Sequence, residues 1–430
     1  MSKITVKEFS TNLDKFRVPL SSFEREKRKG LIPYYGAAKI IDYVDGFTHT
    51  GLSVLIAEDG SVETKNGYPV VQLANGEYWV NNHTHVLKGG DDIDTTYLYY
   101  ALQTIKVAPF VTGAVQKKIS QQALNSMEIP YFEDKTDRKR IVEILSSFDE
   151  KIQLNTQINQ TLEQIAQALF KSWFVDFDPV RAKAQALSDG LSLEQAELAA
   201  MQAISGKTPE ELTALSQAQP DRYAELAETA KAFPCEMVEI DGVEVPKGWE
   251  VKALDEIANY QNGLALQKFR PEDDEPFLPV VKIAQLRQGY ADDEEKAKAS
   301  IKPECIIDNG DVIFSWSGSL LVDIWCGGKA ALNQHLFKVT SKEYPKWFYH
   351  FYTKHHLTEF QRIAYDKAVT MGHIKREHLS AAKCIVPNDE LLANKSLENI
   401  LEKIIFNRLE NFNLQNTRDL LLPRLLSGKF

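Results

Sequence analysis

Residues 134–173, DKTDRKRIVEILSSFDEKIQLNTQINQTLEQIAQALFKSW, decide how the chain is organised. The stretch contains neither Gly nor Pro, and its seam residues recur at alternating steps of four and three from Ile141 to Trp173. That spacing is the heptad pattern of a helix that buries one seam against a partner helix. Asn155 and Asn159 are polar residues on this seam, and such residues can fix register and orientation. The sequence predicts a long helix in a spacer segment of residues 134–175.

A partner for this helix is predicted from a repeat within the chain, about 257 residues further on. Ile129-Pro130 and Val386-Pro387 each close a short apolar run, and each proline is followed after 29 residues by Asn159 or Asn416. Solenoid repeats have periods of about 20–50 residues, so a whole module is duplicated here. We therefore predict an antiparallel pair of long helices and a pseudo-two-fold internal repeat. The alternative is two unrelated helices, each packed on its own globule.

The predicted fold class is α/β, with two α+β globules separated by the antiparallel coiled coil. Strand-like runs and Asn-Gly or Asp-Gly turn signals indicate mixed globules at residues 1–133 and 247–388. Residues 176–246 are rich in Ala, Gln and Glu and are expected to form short amphipathic helices. Residues 389–430 contain the second long helix, which we expect to end at Pro423.

The charge of the chain is unevenly distributed. The net charge is −10, and residues 176–244 alone contribute −9 through fourteen acidic and five basic residues. The remainder is close to neutral, so the acidity does not exclude a polyanionic ligand for the two globules. No basic patch is strong enough to argue for nucleic acid on electrostatics alone.

The cysteines and the hydropathy pattern bound the compartment. The four cysteines are scattered, without a Cys-x-x-Cys pair, which is typical of structural thiols in a reducing cytosol. No apolar run approaches the roughly 18–20 residues of a membrane span, and the first residues lack the apolar core of a signal peptide. We therefore expect a cytoplasmic protein without a membrane partner.

Catalytic constellations are missing from the sequence. Gly206-Lys207-Thr208 resembles the end of a phosphate-binding loop, but Met201 occupies the position of the required first glycine. His83 and His85 share a strand face without a third metal ligand at a useful spacing. No motif for adenine methylation and no dinucleotide-binding glycine loop is present. We predict no catalytic residue and no metal site.

Three motifs resemble the specificity (DNA-recognition) subunit of type I restriction-modification enzymes. Residues 162–180, LEQIAQALFKSWFVDFDPV, are very similar to the central region of that family. Residues 421–429, LLPRLLSGK, resemble its C-terminal signature, and residues 33–37, PYYGA, resemble the start of many of its target recognition domains. The resemblance covers essentially the whole chain, although the acidic segment is longer than in many members.

The resemblance implies two target recognition domains that read the halves of a bipartite, asymmetric site in double-stranded DNA. The helix pair acts as a ruler between them, so spacer length is expected to follow helix length. Two methyltransferase (modification) subunits and restriction/translocase subunits are the implied protein partners. S-adenosylmethionine, ATP and magnesium are expected on those subunits, and no cofactor is expected on this chain. The seam residues expected to support pairing and subunit docking are Ile152, Asn155, Asn159, Leu162, Leu409, Phe412 and Asn416.

DNA contacts are expected from basic and small polar residues in loops. A turn before each second-to-last helix supplies phosphate-binding candidates, since Gly113 and Gly372 permit close backbone approach; ordinary solvated turns are the alternative. Tyr34 and Tyr35 could equally be packing residues. The candidates in the first globule are Tyr34, Tyr35, Lys39, Asn82, Gln116, Lys117 and Lys118. Those in the second are Ser315, Ser317, Lys329, Asn333, Gln334, Lys375 and Arg376.

Two other functions remain open at the level of sequence. The first is a structural adaptor whose globules bind proteins, which the nearly neutral globules permit. The second is a metal-dependent hydrolase built on the histidines. Specific DNA binding that weakens steeply with salt separates the adaptor from a DNA-binding protein, and stoichiometric metal in the purified protein would support the hydrolase.

Overall fold

A computed structural model describes residues 2–113, 115–240, 242–292, 294–366 and 372–429. The chain divides into two compact units. Unit 1 consists of Met1–Leu154 with Asn411–Phe430, and unit 2 consists of Asn155–Glu410. Of the predicted pre-helix turn in the second copy, residues 369–371 lie outside the described residues.

Unit 1 contains two four-stranded sheets and a strand pair. The sheets have the orders β2-β9-β6-β7 and β4-β3-β8-β5, and β1 pairs with β10. The strands are β1 (Ser2–Thr5), β2 (Thr11–Asn12), β3 (Lys29–Tyr35), β4 (Ile40–Val44), β5 (His49–Thr50), β6 (Ser53–Ala57), β7 (Val71–Ala74), β8 (Glu77–Val80), β9 (Thr84–Lys88) and β10 (Glu128–Tyr131). The helices are α1 (Val6–Phe9), α2 (Ser22–Lys27), α3 (Asp92–Leu102), α4 (Gln121–Ser126) and the start of α5 (Lys135–Phe174).

Strand β6 shows why the sequence folds this way locally. All five of its residues are buried, because β7 and β9 flank it and both faces of the sheet are covered. Val54 and Ile56 belong to the same core cluster as Leu98 of α3, whereas Leu55 packs with Val86. A strand covered on both faces reads as a continuous apolar run, which is how it was predicted.

Unit 2 repeats the strand arrangement of unit 1. Its sheets have the orders β14-β21-β18-β19 and β16-β15-β20-β17, and β13 pairs with β22, while β11 and β12 form a separate hairpin. The strands are β11 (Met237–Ile240), β12 (Val243–Pro246), β13 (Glu250–Ala253), β14 (Asn259–Asn262), β15 (Phe277–Val281), β16 (Lys296–Lys298), β17 (Ile306–Ile307), β18 (Val312–Ser315), β19 (Leu321–Ile324), β20 (Ala330–Leu332), β21 (Leu336–Thr340) and β22 (Lys383–Val386).

The helices of unit 2 include four in the acidic segment, as predicted. They are α6 (Asp178–Ser188), α7 (Leu193–Ser205), α8 (Pro209–Ala218), α9 (Pro220–Ala232), α10 (Leu254–Ile257), α11 (Ile283–Gln288), α12 (Lys346–His355), α13 (Leu357–Asp366), α14 (Arg376–Ala381), α15 (Asp389–Leu392) and the start of α16 (Lys395–Leu426). The buried Lys183 of α6 donates to the carbonyls of Ala230 and Phe233 at 3.0 and 2.6 Å. It thereby ties α6 to the end of α9.

Helices α5 and α16 run antiparallel within each unit. In unit 1, Ile141 and Leu145 of α5 lie in one core cluster with Leu422 and Leu425 of α16. In unit 2, Ala166 of α5 lies in a core cluster with the residues at the start of α16. The predicted pairing of the two long helices is therefore confirmed.

The predicted register of that pairing is wrong. Strands β10 and β22 begin at 128 and 383, which are 255 residues apart, not 257. In the long helices the buried pair Ile141 and Leu145 matches Leu397 and Leu401, at an offset of 256. The break between α15 and α16 accounts for the extra residue.

The register error exposes two residues that were placed on the seam. Asn416 is exposed, and the Phe412 side chain is 44% exposed. Asn407 is fully buried instead and donates to Asn159 at 2.9 Å. Asn155 is buried as predicted and donates to Glu410 at 2.6 Å. The other predicted seam residues, Ile152, Leu162 and Leu409, are partly buried.

Pro423 does not end the last helix, which continues to Leu426. A proline inside a helix removes one backbone donor and usually weakens the helix. Here the loss falls in the last turn, where Leu425 and Leu426 are buried in the core of unit 1. Burial of those side chains outweighs the missing hydrogen bond.

Candidate nucleic-acid interface

Three loops meet at one edge of the β2-β9-β6-β7 sheet of unit 1. They comprise residues 58–60 after β6, 81–83 before β9 and 112–119 before α4. The Glu58 amide donates to the His83 carbonyl at 2.9 Å, and the Ile119 amide donates to the Glu58 carbonyl at 2.8 Å. The Gly60 amide donates to the Lys117 carbonyl at 3.0 Å. Backbone hydrogen bonds thus fix the loops to one another.

The same backbone connections occur in unit 2 among residues 316–318, 333–335 and 372–374. The Trp316 amide lies 3.4 Å from the His335 carbonyl, and the Ile374 amide donates to the Trp316 carbonyl at 3.0 Å. The Gly318 amide donates to the Gly372 carbonyl at 2.8 Å. We refer to these loops, and to their counterparts in unit 1, as the three-loop cluster of each unit.

Each three-loop cluster contains a turn with the same internal support. In unit 1 the buried Asn81 accepts a hydrogen bond from the His83 amide at 2.9 Å. In unit 2 the buried Asn333 accepts one from the His335 amide at 3.2 Å. This is the side-chain-to-backbone bond of an Asx turn. The tip residues, Asn82 and Gln334, therefore occupy equivalent positions.

The side chains around the two turns differ, although the backbone frame does not. His83 Nδ1 lies 2.8 Å from the Asp59 carboxylate, whereas His335 Nδ1 lies 2.9 Å from the Ser317 hydroxyl. The position of Glu58 in unit 1 is occupied in unit 2 by Trp316. One backbone arrangement thus presents two different chemical surfaces.

The carboxylates of the first three-loop cluster are paired within the protein. Glu58 contacts Arg17 at 2.6 Å and Lys118 at 3.0 Å. Burial raises the pKa of Glu58, but the hydrogen bonds from both cations outweigh it and keep that pKa below its usual value. Asp14 accepts from His85 Nδ1 at 2.6 Å. The carboxylates are thus neutralised by side chains of the chain itself.

His85, Asp14 and Glu58 place their ligand atoms within 4.8 Å of one another, although the sequence suggested no carboxylate near the histidines. The second ring nitrogen of His85, Nε2, lies 2.9 Å from the Ile119 carbonyl. A nitrogen that donates to a carbonyl is not available to a metal. The arrangement therefore fits a structural ion pair that holds the loops better than it fits a metal site.

The predicted tyrosines of unit 1 serve packing. Tyr34 is 1% exposed, and its hydroxyl accepts from the Leu20 amide at 2.9 Å. We therefore remove Tyr34 from the proposed DNA contacts, because its side chain offers no accessible surface. Tyr35 is partly buried and lies edge-on to Tyr78 with ring centroids 5.9 Å apart. Lys39 is exposed, at the β3–β4 connection.

The pre-helix turn of unit 1 is closed by two hydrogen bonds of 2.8 Å between the backbones of Thr112 and Lys118. Gly113 has φ +90°, and a Cβ there would lie 2.1 Å from the Gln116 carbonyl oxygen. The turn therefore requires glycine. Gln116, Lys117 and Lys118 are exposed, and Lys117 pairs with Glu63.

The equivalence proposed for the second copy of this turn is wrong. Lys375 caps α14 as Ser120 caps α4, so Lys375 and Arg376 do not correspond to the two lysines. Gly372 matches Lys117 by its hydrogen bond to Gly318. Lys375 and Arg376 are exposed at the start of α14, and Arg376 donates to the Tyr260 carbonyl at 3.1 Å.

The remaining predictions in unit 2 divide between support and surface. Ser315, Ser317 and Asn333 are 0%, 3% and 8% exposed, so they hold the loops together and offer little surface to DNA. Gln334 is partly exposed at the turn tip, and Lys329 is exposed before β20. The sequence predictions thus found the turn of the three-loop cluster, but they gave its buried anchors and its tip the same role.

Some residues of the interface were missed or left out of the predicted sites. Asp59 and His373 lie in the two three-loop clusters at matching bridge positions, opposite Lys118 and Ser317. A signal for the cluster was available, because Asn-Asn-His at 81–83 and Asn-Gln-His at 333–335 are the same kind of tripeptide. No helix within the described ranges is long and apolar enough to cross a membrane.

Comparison with known proteins agrees with this organisation. The family model "Type I restriction modification DNA specificity domain" matches residues 3–164 and 246–419. The HindI specificity subunit of Haemophilus influenzae, a type I restriction enzyme subunit, is 45% identical over 322 residues, which cover 71% of this chain and 69% of that protein. The MjaIX specificity subunit of Methanocaldococcus jannaschii is 24% identical over 397 residues, 88% of this chain and 79% of that protein.

A solved structure has the same fold. The crystal structure of the type I restriction-modification S subunit from M. genitalium aligns with 99% of this chain and 95% of its own. The TM-score is 0.51 and the sequence identity is 16%, a likeness of fold alone.

Proposed function

Because the chain belongs to the family of type I restriction-modification DNA specificity subunits, we propose that its two units each read one half of a bipartite, asymmetric site in double-stranded DNA. Specificity subunits of this family recognise DNA and assemble with the other subunits of the system. The two family domains, at residues 3–164 and 246–419, fit such two-part recognition. We propose a cytoplasmic location, where DNA and the partner subunits are available.

The duplicated three-loop cluster supports this proposal most directly. Both units hold three loops in one backbone frame, and the exposed side chains on that frame differ between the units. Base readout depends on side chains presented to the grooves, while the backbone frame sets their position. Two copies of one frame with different side chains suit a site whose halves differ in sequence.

We propose that catalysis is supplied by partners, namely two methyltransferase subunits and restriction/translocase subunits. S-adenosylmethionine, ATP and magnesium would be bound by those subunits. This chain would direct adenine methylation and cleavage by positioning them on its DNA site. The paired helices α5 and α16 would offer the docking surface, since their outward faces include the exposed Leu154, Phe406 and Phe412.

The experiment that tests this function uses the complex of the chain with its methyltransferase partner. The complex is incubated with a library of random duplexes, and the methylated positions are sequenced. We expect one bipartite sequence with an unread spacer. Methylation without a shared sequence, or no methylation by a complex that has assembled, would contradict the proposal.

A charge variant adds a physical test of DNA contact. Lys117 is exposed in the pre-helix turn, and we expect Lys117→Gln to weaken binding to all duplexes alike and to reduce the salt slope by about one. Lys3→Gln is the matched control, because Lys3 is also exposed but lies on β1 and pairs with Glu128. Binding that is insensitive to salt would favour the protein-binding adaptor instead.

A further inference from the structure

We infer that Asn82 and Gln334 are equivalent base-reading residues, one in each half-site, and that each recognises an adenine through its side-chain amide. This inference rests on the proposed function and adds the residues and the base to it. Both residues sit at the tip of the supported turn in their three-loop cluster, between an Asn that anchors the turn and a histidine that follows it.

The turn positions the tip residue independently of that residue's own side chain. The Asn81 amide donates to the Tyr35 carbonyl at 3.2 Å, and the Asn333 amide donates to the Val281 carbonyl at 3.1 Å. The buried anchor therefore fastens the turn to the neighbouring strand in each unit. A different side chain at the tip leaves these bonds intact, which is what a variable reading position requires.

The histidine after the tip is also held. His83 contacts Asp59, and His335 contacts Ser317, each through Nδ1. The rings therefore flank the tip residue in a fixed orientation. In unit 2, Trp316 Nε1 further donates to the Gln334 carbonyl at 3.2 Å. The frame thus immobilises everything around the tip except the tip side chain.

The chemistry of the tip residue suggests the base. A side-chain amide has a donor and an acceptor side by side, and Asn or Gln pairs in this way with N6 and N7 of adenine in the major groove. Asn82 is exposed, and within the described residues its side-chain amide is not hydrogen-bonded to another residue. The Gln334 amide has one long contact, 3.4 Å to His335. Both amides are therefore open to a base edge.

Asn82→Ala and Gln334→Ala, each in the complex with the methyltransferase partner, test this inference on a randomised duplex library. We expect each variant to lose discrimination roughly tenfold to a hundredfold at one A·T position. The positions should lie in opposite halves of the site. Asn82→Asp should shift the preference at its position towards cytosine, since a carboxylate accepts from cytosine N4.

Asn75→Ala is the matched control. Asn75 is an exposed turn asparagine of unit 1, but it follows the end of β7 that pairs with Ser53, at the edge of the sheet away from the three-loop cluster. We expect it to leave the site unchanged. Thermal unfolding and assembly with the partner verify that every variant is folded.

The outcomes separate the two proposals. If the unmodified complex has no bipartite site, the proposed function fails. If that site exists and both tip variants leave it unchanged, relax the same half, or weaken all sequences equally, the base-reading inference is overturned and the proposed function stands. Relaxation at a G·C position would likewise overturn the assignment to adenine.

Discussion

Asp14 anchors the three-loop cluster of unit 1 from below. Its carboxylate accepts hydrogen bonds from His85 Nδ1 at 2.6 Å and from the Val86 amide at 2.8 Å. Burial raises the pKa of Asp14, but these two hydrogen bonds outweigh it, so the pKa lies below its usual value. A carboxylate with a lowered pKa stabilises the fold above its unfolded pKa, near 3.9, and this contribution is lost as the pH falls through the folded pKa.

Asp14→Asn is therefore expected to destabilise unit 1 by about 2 kcal/mol at neutral pH, as is typical for hydrogen bonds to a buried charge. The difference between variant and original protein should shrink below about pH 4, where the original carboxyl becomes protonated. Urea unfolding followed from pH 7 down to pH 3 measures this. Asp92→Asn, at a partly exposed position in the first turn of α3, serves as control. A difference that stays constant over this pH range would contradict the prediction.

At the scale of elements, the paired asparagines set the register of α5 and α16. Asn159 donates to the Ile404 carbonyl at 3.2 Å and accepts from Asn407 at 2.9 Å. Buried polar residues on a helix seam stabilise one register because any other leaves them unpaired. These contacts all lie within unit 2.

Asn407→Ala should destabilise the helix pair by about 1–3 kcal/mol, because it removes a buried hydrogen bond and leaves its Asn159 partner unsatisfied. Asn416→Ala is the matched control on the same helix, and we expect a change within about 0.5 kcal/mol, as for most surface positions. Denaturant unfolding of both variants measures the difference. The reverse ranking would restore the register that the sequence repeat suggested.

Individual elements show what could be predicted from sequence. The seam of α5 was readable because one face of a long helix repeats regularly, and β6 was readable because both its faces are buried. The register of α16 was not, because Asn407, Asn411, Asn413 and Asn416 offer several polar positions at similar spacing. An insertion of one residue between α15 and α16 then displaced the match.

The three-loop cluster was harder to predict, because its contacts join residues far apart in sequence. Glu58, His83 and Ile119 meet through backbone amides and carbonyls, which leave no pattern in residue type. Predictions of single polar residues therefore mixed exposed tips, such as Asn82, with buried supports, such as Ser315. The turn tripeptides were the recoverable part, since their anchoring asparagine is required by the turn itself.

At the scale of the whole molecule, both long helices pass from one unit into the other. Helix α5 crosses the boundary at residues 154/155 and α16 crosses it at 410/411. If these helices set the spacing of the two half-sites, inserting one heptad into each at these points should lengthen the unread spacer. Seven helical residues span about 10 Å, which corresponds to about 3 base pairs of DNA.

Sequencing of the methylated sites is the measurement, and the half-site sequences themselves should remain unchanged. A heptad inserted in one helix alone provides the control, because it disrupts the matching seams and is expected to impair folding rather than to alter the spacer. An unchanged spacer in the doubly extended protein would show that the helices do not set it.

Unit 1 is built from two distant pieces of chain, and this has a consequence during translation. Its core includes Leu422, Leu425 and Leu426, yet 256 residues separate Leu154 from Asn411. At about 5–20 residues per second, a ribosome needs roughly 10–50 seconds to make that interval. Throughout it the nascent first half carries an apolar helix face without its final cover. The domain that begins synthesis first is therefore completed last, and prematurely terminated chains are expected to aggregate or to occupy chaperones.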